Sequence, residues 1–121
     1  SLWEKYVIGD IGDFYSGLTG KQKDDFGKGN ARYITFLNVL NNTVIDISKL
    51  ESVQVNEDEY QNEVLKGDLF FNTSSETPEE VGMCAVLMDS IRNTYLNSFC
   101  FGFRLKTKKV YALFFSYYFN S

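Results

Sequence analysis

The sequence predicts an α+β fold: a single domain over residues 1–121, with a mixed, mostly antiparallel twisted sheet and a few flanking helices. Three observations predict it. Eleven Phe and eight Tyr bring the aromatic content to 17%, and aromatic side chains favour strands. Segments with strand character outnumber those with helical period, and few helical segments separate consecutive strands, an order that opposes a doubly wound parallel fold. At 121 residues the chain supports one hydrophobic core rather than two, because small domains bury a smaller fraction of their surface.

Taken in order, residues 5–8 (KYVI) alternate as a short strand, and Trp3 before them suits an anchor of that strand to the core. Gly9-Asp10 offers a helix cap before IGDFYSG, where Ile11, Phe14 and Tyr15 share one helical face and Gly17 ends the helix. The stretch 17–30, GLTGKQKDDFGKGN, has four glycines and no periodicity, the mark of a long mobile loop of the functional or disordered kind. ARYITFLNVL (31–40) reads as a strand with a turn at Asn41-Asn42, and TVIDISKL (43–50) alternates as another. NEDEYQNEVLKG (56–67) suits a short acidic helix or turn, and Gly67 leads into GDLFFNTS, a buried strand running into a polar loop. GMCAVLMD (82–89) and YLNSFCFGFRLK (95–106) read as strands, VYALFFSYYFNS (110–121) as a buried terminal helix, and the Phe and Tyr stripe from Phe99 to Phe119 as core.

Composition narrows the chemistry. Histidine is absent, which removes the commonest general base and metal ligand and with it Ser/His/Asp, Cys/His and His-based zinc sites. Cys84 and Cys100 lie in apolar stretches, where buried free thiols are expected over a disulfide. Paired carboxylates such as Asp24-Asp25 and Glu79-Glu80 read as acidic turns, with no nuclease pattern around them. No cofactor motif is present. No apolar run approaches the roughly 20 residues of a spanning helix, and the opening residues lack the layout of a signal peptide. A cytoplasmic protein without membrane contact is expected.

The net charge is -4, which opposes nucleic-acid binding unless the charges segregate. Acid gathers at Glu51, Glu57, Asp58, Glu59 and Glu63 and again at Glu76, Glu79 and Glu80, whereas Lys21, Lys23, Lys28 and Arg32 crowd one early stretch. A second basic run holds Arg104, Lys106, Lys108 and Lys109. An acidic back and a basic front would suit DNA.

The opening LWEKYVIGDIGDFYSGLTGK resembles the start of the target-recognition domains of type I restriction-modification specificity subunits: a tryptophan, a short strand, Gly-Asp-Ile, a helix and a glycine-containing loop. The resemblance continues through an ITFLNV strand, a KGDLFFNTS segment, a late LNSFCFGFRL strand and a closing apolar LFFSYYFNS segment, nearly the whole chain. The sequence departs from the family pattern at Asn97-Ser98, where Asn-Gln is common, and in the longer SSETPEEVG turn. The resemblance implies a non-catalytic reader of one half of a bipartite double-stranded DNA target, without the spacer helices of a full subunit. It also implies methyltransferase (modification) subunits and restriction subunits as partners and no cofactor.

DNA readers combine phosphate contacts that position with base contacts that specify. Lys21, Lys23, Lys28 and Arg32 are candidates for the first class, with Arg104 as an extension, and Asn30, Asn72, Thr73, Ser74, Ser75 and Glu76 for the second. Each has a plainer reading. A Lys/Asp-rich loop is commonly a solvated surface, and Ser/Thr/Asn clusters commonly satisfy turns and caps. Two other function classes stay open: a protein-interaction module using the acidic face and aromatic edge strands, and an enzyme, which the missing histidine disfavours.

Overall fold

A computed structural model describes residues 11–72 and 84–106. Among the described residues, seven strands form two sheets: β1 (Gly12–Ser16), β2 (Phe26–Ile34), β3 (Glu51–Val53), β4 (Leu69–Asn72), β5 (Ala85–Val86), β6 (Thr94–Leu96) and β7 (Cys100–Leu105). The first sheet runs β1-β7-β4-β5 and is antiparallel throughout. The second runs β3-β2-β6, with β2 antiparallel to β3 and parallel to β6. Helical structure among the described residues is slight: the six-residue α1 (Phe36–Asn41) and single 3-10 turns at Lys23–Asp25 and Ile47–Lys49. The described residues are therefore mostly β, with fewer helices there than an α+β reading expects.

β4 shows why the first sheet is the centre of the molecule. Its run Leu69-Phe70-Phe71 is buried throughout, as expected of a strand covered on both faces. Phe70 joins Ile34, Val39, Ile45, Val64, Leu87 and Leu96 in the core shared with the second sheet and α1. Leu69 and Phe71 pack on the other face with Ile11, Cys84, Val86 and Phe103. Alternation of side chains across a strand makes both assignments follow from one register, with Phe70 opposite Gly102 and Phe71 opposite Phe101. Cys84 and Cys100 are both buried free thiols, and burial pushes Cys84 up to about 12.

Several segments take other forms than the sequence predicts. IGDFYSG is not a helix: residues 12–16 pair with β7, Tyr15 opposite Gly102. Two aromatic residues in five suit a strand when a partner is available, and β7 supplies one that local periodicity does not reveal. ARYITFLNVL is strand only to Ile34. The Thr35 hydroxyl accepts from the Asn38 N–H at 3.2 Å and caps α1, a local bond that overrides the β preference of Phe36 and Val39. The buried Asn38 side chain then donates to the Asp46 carbonyl (2.9 Å) and accepts from the Asp46 N–H (3.0 Å), folding the chain back. The alternating TVIDISKL likewise makes one bridge, Val44 to Val86, before Asp46 caps the turn at Ile47–Lys49.

NEDEYQNEVLKG takes the turn alternative, without a helix. GMCAVLMD yields only the two residues of β5. YLNSFCFGFRLK divides into β6 and β7, because the buried Asn97 donates to the Ile34 carbonyl (3.1 Å) and accepts from the Phe99 N–H (2.8 Å), turning the chain. Phe99 is not core: it is 67% exposed and meets the Phe36 ring edge-on. Phe103 is core and Phe101 packs against it, whereas Trp3, the 5–8 strand, the aromatic stripe from Tyr111 on and the terminal helix lie outside the described residues, as does the polar loop after Asn72.

Candidate nucleic-acid interface

The second sheet carries the feature from which a site can be built. β2 pairs with Val53 twice, through Phe26 and again through Ala31, so residues 27–30 bulge out of the strand between the two pairings. The turn in and out uses glycine at φ values closed to most residues, Gly27 at 85° and Gly29 at 128°. A Cβ at Gly27 would meet open space, whereas one at Gly29 would lie 2.5 Å from the Gln54 nitrogen. The bulge thus projects on one side and is packed on the other. Lys28 stands between the two glycines and is exposed.

The base of the bulge is tied down at four points. Asn30 Nδ2 donates to the Val55 carbonyl and the Val55 N–H donates to Asn30 Oδ1, both at 2.9 Å, so the side chain completes a strand-like pair. The Asn93 amide donates to the Asn30 carbonyl at 2.7 Å. The Gln54 N–H donates to the Asp25 carbonyl at 2.8 Å. Asn93 itself takes φ 52°, tolerable for an asparagine, and its N–H donates to Glu63 at 2.6 Å.

Among the described residues, acid and base meet at one point. The Lys21 ammonium lies 2.6 Å from Glu59, its side chain only 6% exposed. Glu59 also accepts from the Asn56 N–H (2.7 Å) and from the Gln61 amide (2.7 Å). Held by Lys21 first and then by these two donors, its carboxyl is lowered to about 2. The acidic segment therefore packs directly against the basic loop. Beside it lies a shallow pocket of about 300 Å³ whose walls include Asn30, Glu57, Tyr60 and Tyr95.

The sequence-predicted residues thus separate into three groups. Lys23, Lys28 and Arg32 are exposed and make no ion pair among the described residues. Lys21, Asn30 and Arg104 are engaged within the fold. Arg104 Nε and Nη2 donate to the two oxygens of the buried Asp68 at 2.9 and 2.7 Å, and Nη2 also donates to the Glu63 carbonyl at 3.0 Å. Its guanidinium sits 5.0 Å from the Tyr15 ring centre, and the Tyr15 hydroxyl donates to Asp68 Oδ2. The hydrogen bonds from Arg104 itself to Asp68 raise the Arg104 pKa above its ordinary value. Asn72 closes β4 opposite Cys100, while Thr73, Ser74, Ser75 and Glu76 lie outside the described residues.

Sequence reasoning missed the bulge and the Asp68 cluster. The bulge had a signal in Gly27-Lys28-Gly29, since isolated glycines in a strand mark bulges. Asp68 had only its Gly-Asp position before a strand, because its partners are 36 and 53 residues away in sequence. No group of three or more metal-ligating side chains occurs among the described residues, and no described helix is long and apolar enough to cross a membrane.

No curated protein matches the chain. A family model does match it, over residues 1–121, and its description is the type I restriction modification DNA specificity domain. KGDLFFN and LNSFCFGFRL, two of the segments that carried the resemblance, supply β4 and β7 of the first sheet, and the chain belongs to the type I restriction modification DNA specificity domain family.

Proposed function

We propose that this domain reads one half of a bipartite double-stranded DNA target as the specificity component of a type I restriction-modification complex in the cytoplasm. Chemistry belongs to its partners, the methyltransferase (modification) and restriction subunits. Family membership supports the DNA reading, and the bulge at 27–30 supports locating it on this sheet: it presents an exposed Lys28, and Lys23 and Arg32 are exposed as well. Lys23 and Arg32, exposed cations without an ion pair among the described residues, suit phosphate contact. In this reading Lys21, Asn30 and Arg104 hold the frame, Lys21 through Glu59, Asn30 through Val55 and Arg104 through Asp68.

Titrating the intact protein in its complex with duplex DNA at several salt concentrations tests the proposal. Lys23→Ala and Arg32→Ala should each weaken binding to all duplexes and lower the salt slope by about 1. Unchanged slopes would place this face away from DNA. A polypeptide-binding reading draws on Leu37 and Leu40, which are 62% and 53% exposed on α1. Binding through such an apolar surface would lack a steep salt dependence.

A further inference from the structure

We propose that Lys28 is a specificity-determining residue that reads a guanine in the major groove, rather than one more phosphate contact. The inference rests on the DNA reading proposed above and names the side chain that discriminates.

A phosphate contact needs only a cation at the surface, and a mobile one serves. A base contact needs a donor delivered at a fixed position into a groove about 12 Å wide. Lys28 meets the second requirement in two ways. Its neighbours are Gly27 and Gly29, so at Lys28 the bulge is one side chain wide and meets no side-chain bulk on either flank. The backbone beneath is held by the paired bonds of Asn30 and Val55, by Asn93 on the Asn30 carbonyl, and by the close passage of Gly29 over Gln54. Narrow tip and rigid base together are what preorganised readout demands. Lys23 lies on a 3-10 turn and Arg32 within the paired part of β2, so neither is lifted in this way.

The chemistry selects the base. An ammonium only donates, and Lys28 makes no ion pair among the described residues. Guanine presents two adjacent acceptors, N7 and O6, in the major groove. Adenine sets a donor beside its acceptor, thymine a methyl beside O4, and cytosine a donor. An ammonium presented from a fixed backbone position therefore favours guanine over the other three.

Methylation mapping of the intact protein in its complex first gives the wild-type motif, and a duplex carrying that motif becomes the probe. Lys28→Ala should leave the motif degenerate at one G·C pair of one half-site. Its affinity for the motif duplex should fall about 5- to 150-fold, with little change on an unrelated duplex. Gly27→Ala keeps the charge and redirects it, and should blur the same base pair. Equal losses on both duplexes would make Lys28 a phosphate contact, and relaxation at an A·T pair or an unaltered motif would also overturn the inference. Exchanging the whole 121-residue segment for that of a subunit with another target separates the two levels. A shifted half-motif upholds DNA reading even if Lys28 fails, and an unshifted one sinks both.

Discussion

The Lys21 ammonium lies 2.6 Å from the Glu59 carboxylate, with the lysine side chain almost wholly enclosed. The contact closes residues 17–25 onto the acidic segment, and Lys21 thereby fixes the loop from which the bulge departs. The Gln61 side chain adds to the closure, donating to the Thr19 carbonyl and accepting from the Thr19 N–H.

Glu59 gives this closure a pH dependence. Its folded pKa, about 2, lies below the ordinary value of 4.5. A depressed carboxyl contributes stability that is present above 4.5 and lost as pH falls from there toward 2. Thermal unfolding followed across that range should show a drop for the wild type that is smaller in Glu59→Gln. Parallel curves would mean that Glu59 is not held as described. Lys21→Met should destabilise the loop while leaving the salt slope of DNA binding unchanged.

Asp68, 1% exposed at its side chain, is satisfied by Arg104, Tyr15 and the Leu65 N–H. Removing one partner of a buried pair strands the other. Because Arg104 is 40% exposed, Arg104→Met should cost about 2–3 kcal/mol, below the range for fully buried pairs. Urea unfolding checks it: the midpoint should fall with the slope unchanged.

Tyr15 sets the alkaline limit. Burial first, and then the charge of Asp68, raise its hydroxyl well above 10. A raised group contributes stability that is complete below its unfolded value and lost as pH rises through the folded one. Stability should therefore decline above about pH 10, the ordinary tyrosine value, and Tyr15→Phe should decline less steeply while starting lower. Denaturant midpoints at pH 8, 10 and 11 decide between these outcomes.

Gly102 makes room for that tyrosine. A Cβ at position 102 would lie 2.3 Å from the Tyr15 ring, which its bond to Asp68 prevents from moving aside. Gly102→Ala should cost about 1–3 kcal/mol, as overpacking does. In a Tyr15→Ala background the same substitution should be nearly neutral. Additive effects in the double-mutant cycle would show that the ring is not the obstacle.

What the sequence by itself determined is what local chemistry and family pattern carry. The LFF run of β4 and the apolar residues of β7 announce buried strands, because no solvent-facing strand sustains such a run. The missing histidines close off whole classes of catalysis, and the order of motifs names the family. The glycines flanking Lys28 were visible as a loop signal, although not as a bulge.

Only the tertiary structure decided where segments find partners. Residues 12–16 have a helical spacing of apolar side chains, yet β7 pairs with them across about 90 residues and turns them into a strand. The first candidate set treated Lys21 and Lys28 alike, since both are lysines in a glycine-rich stretch. They separate because Glu59, 38 residues on from Lys21, reaches one and no described carboxylate reaches the other. Charge is a property of composition, but its availability depends on distances that the chain sets only when it folds.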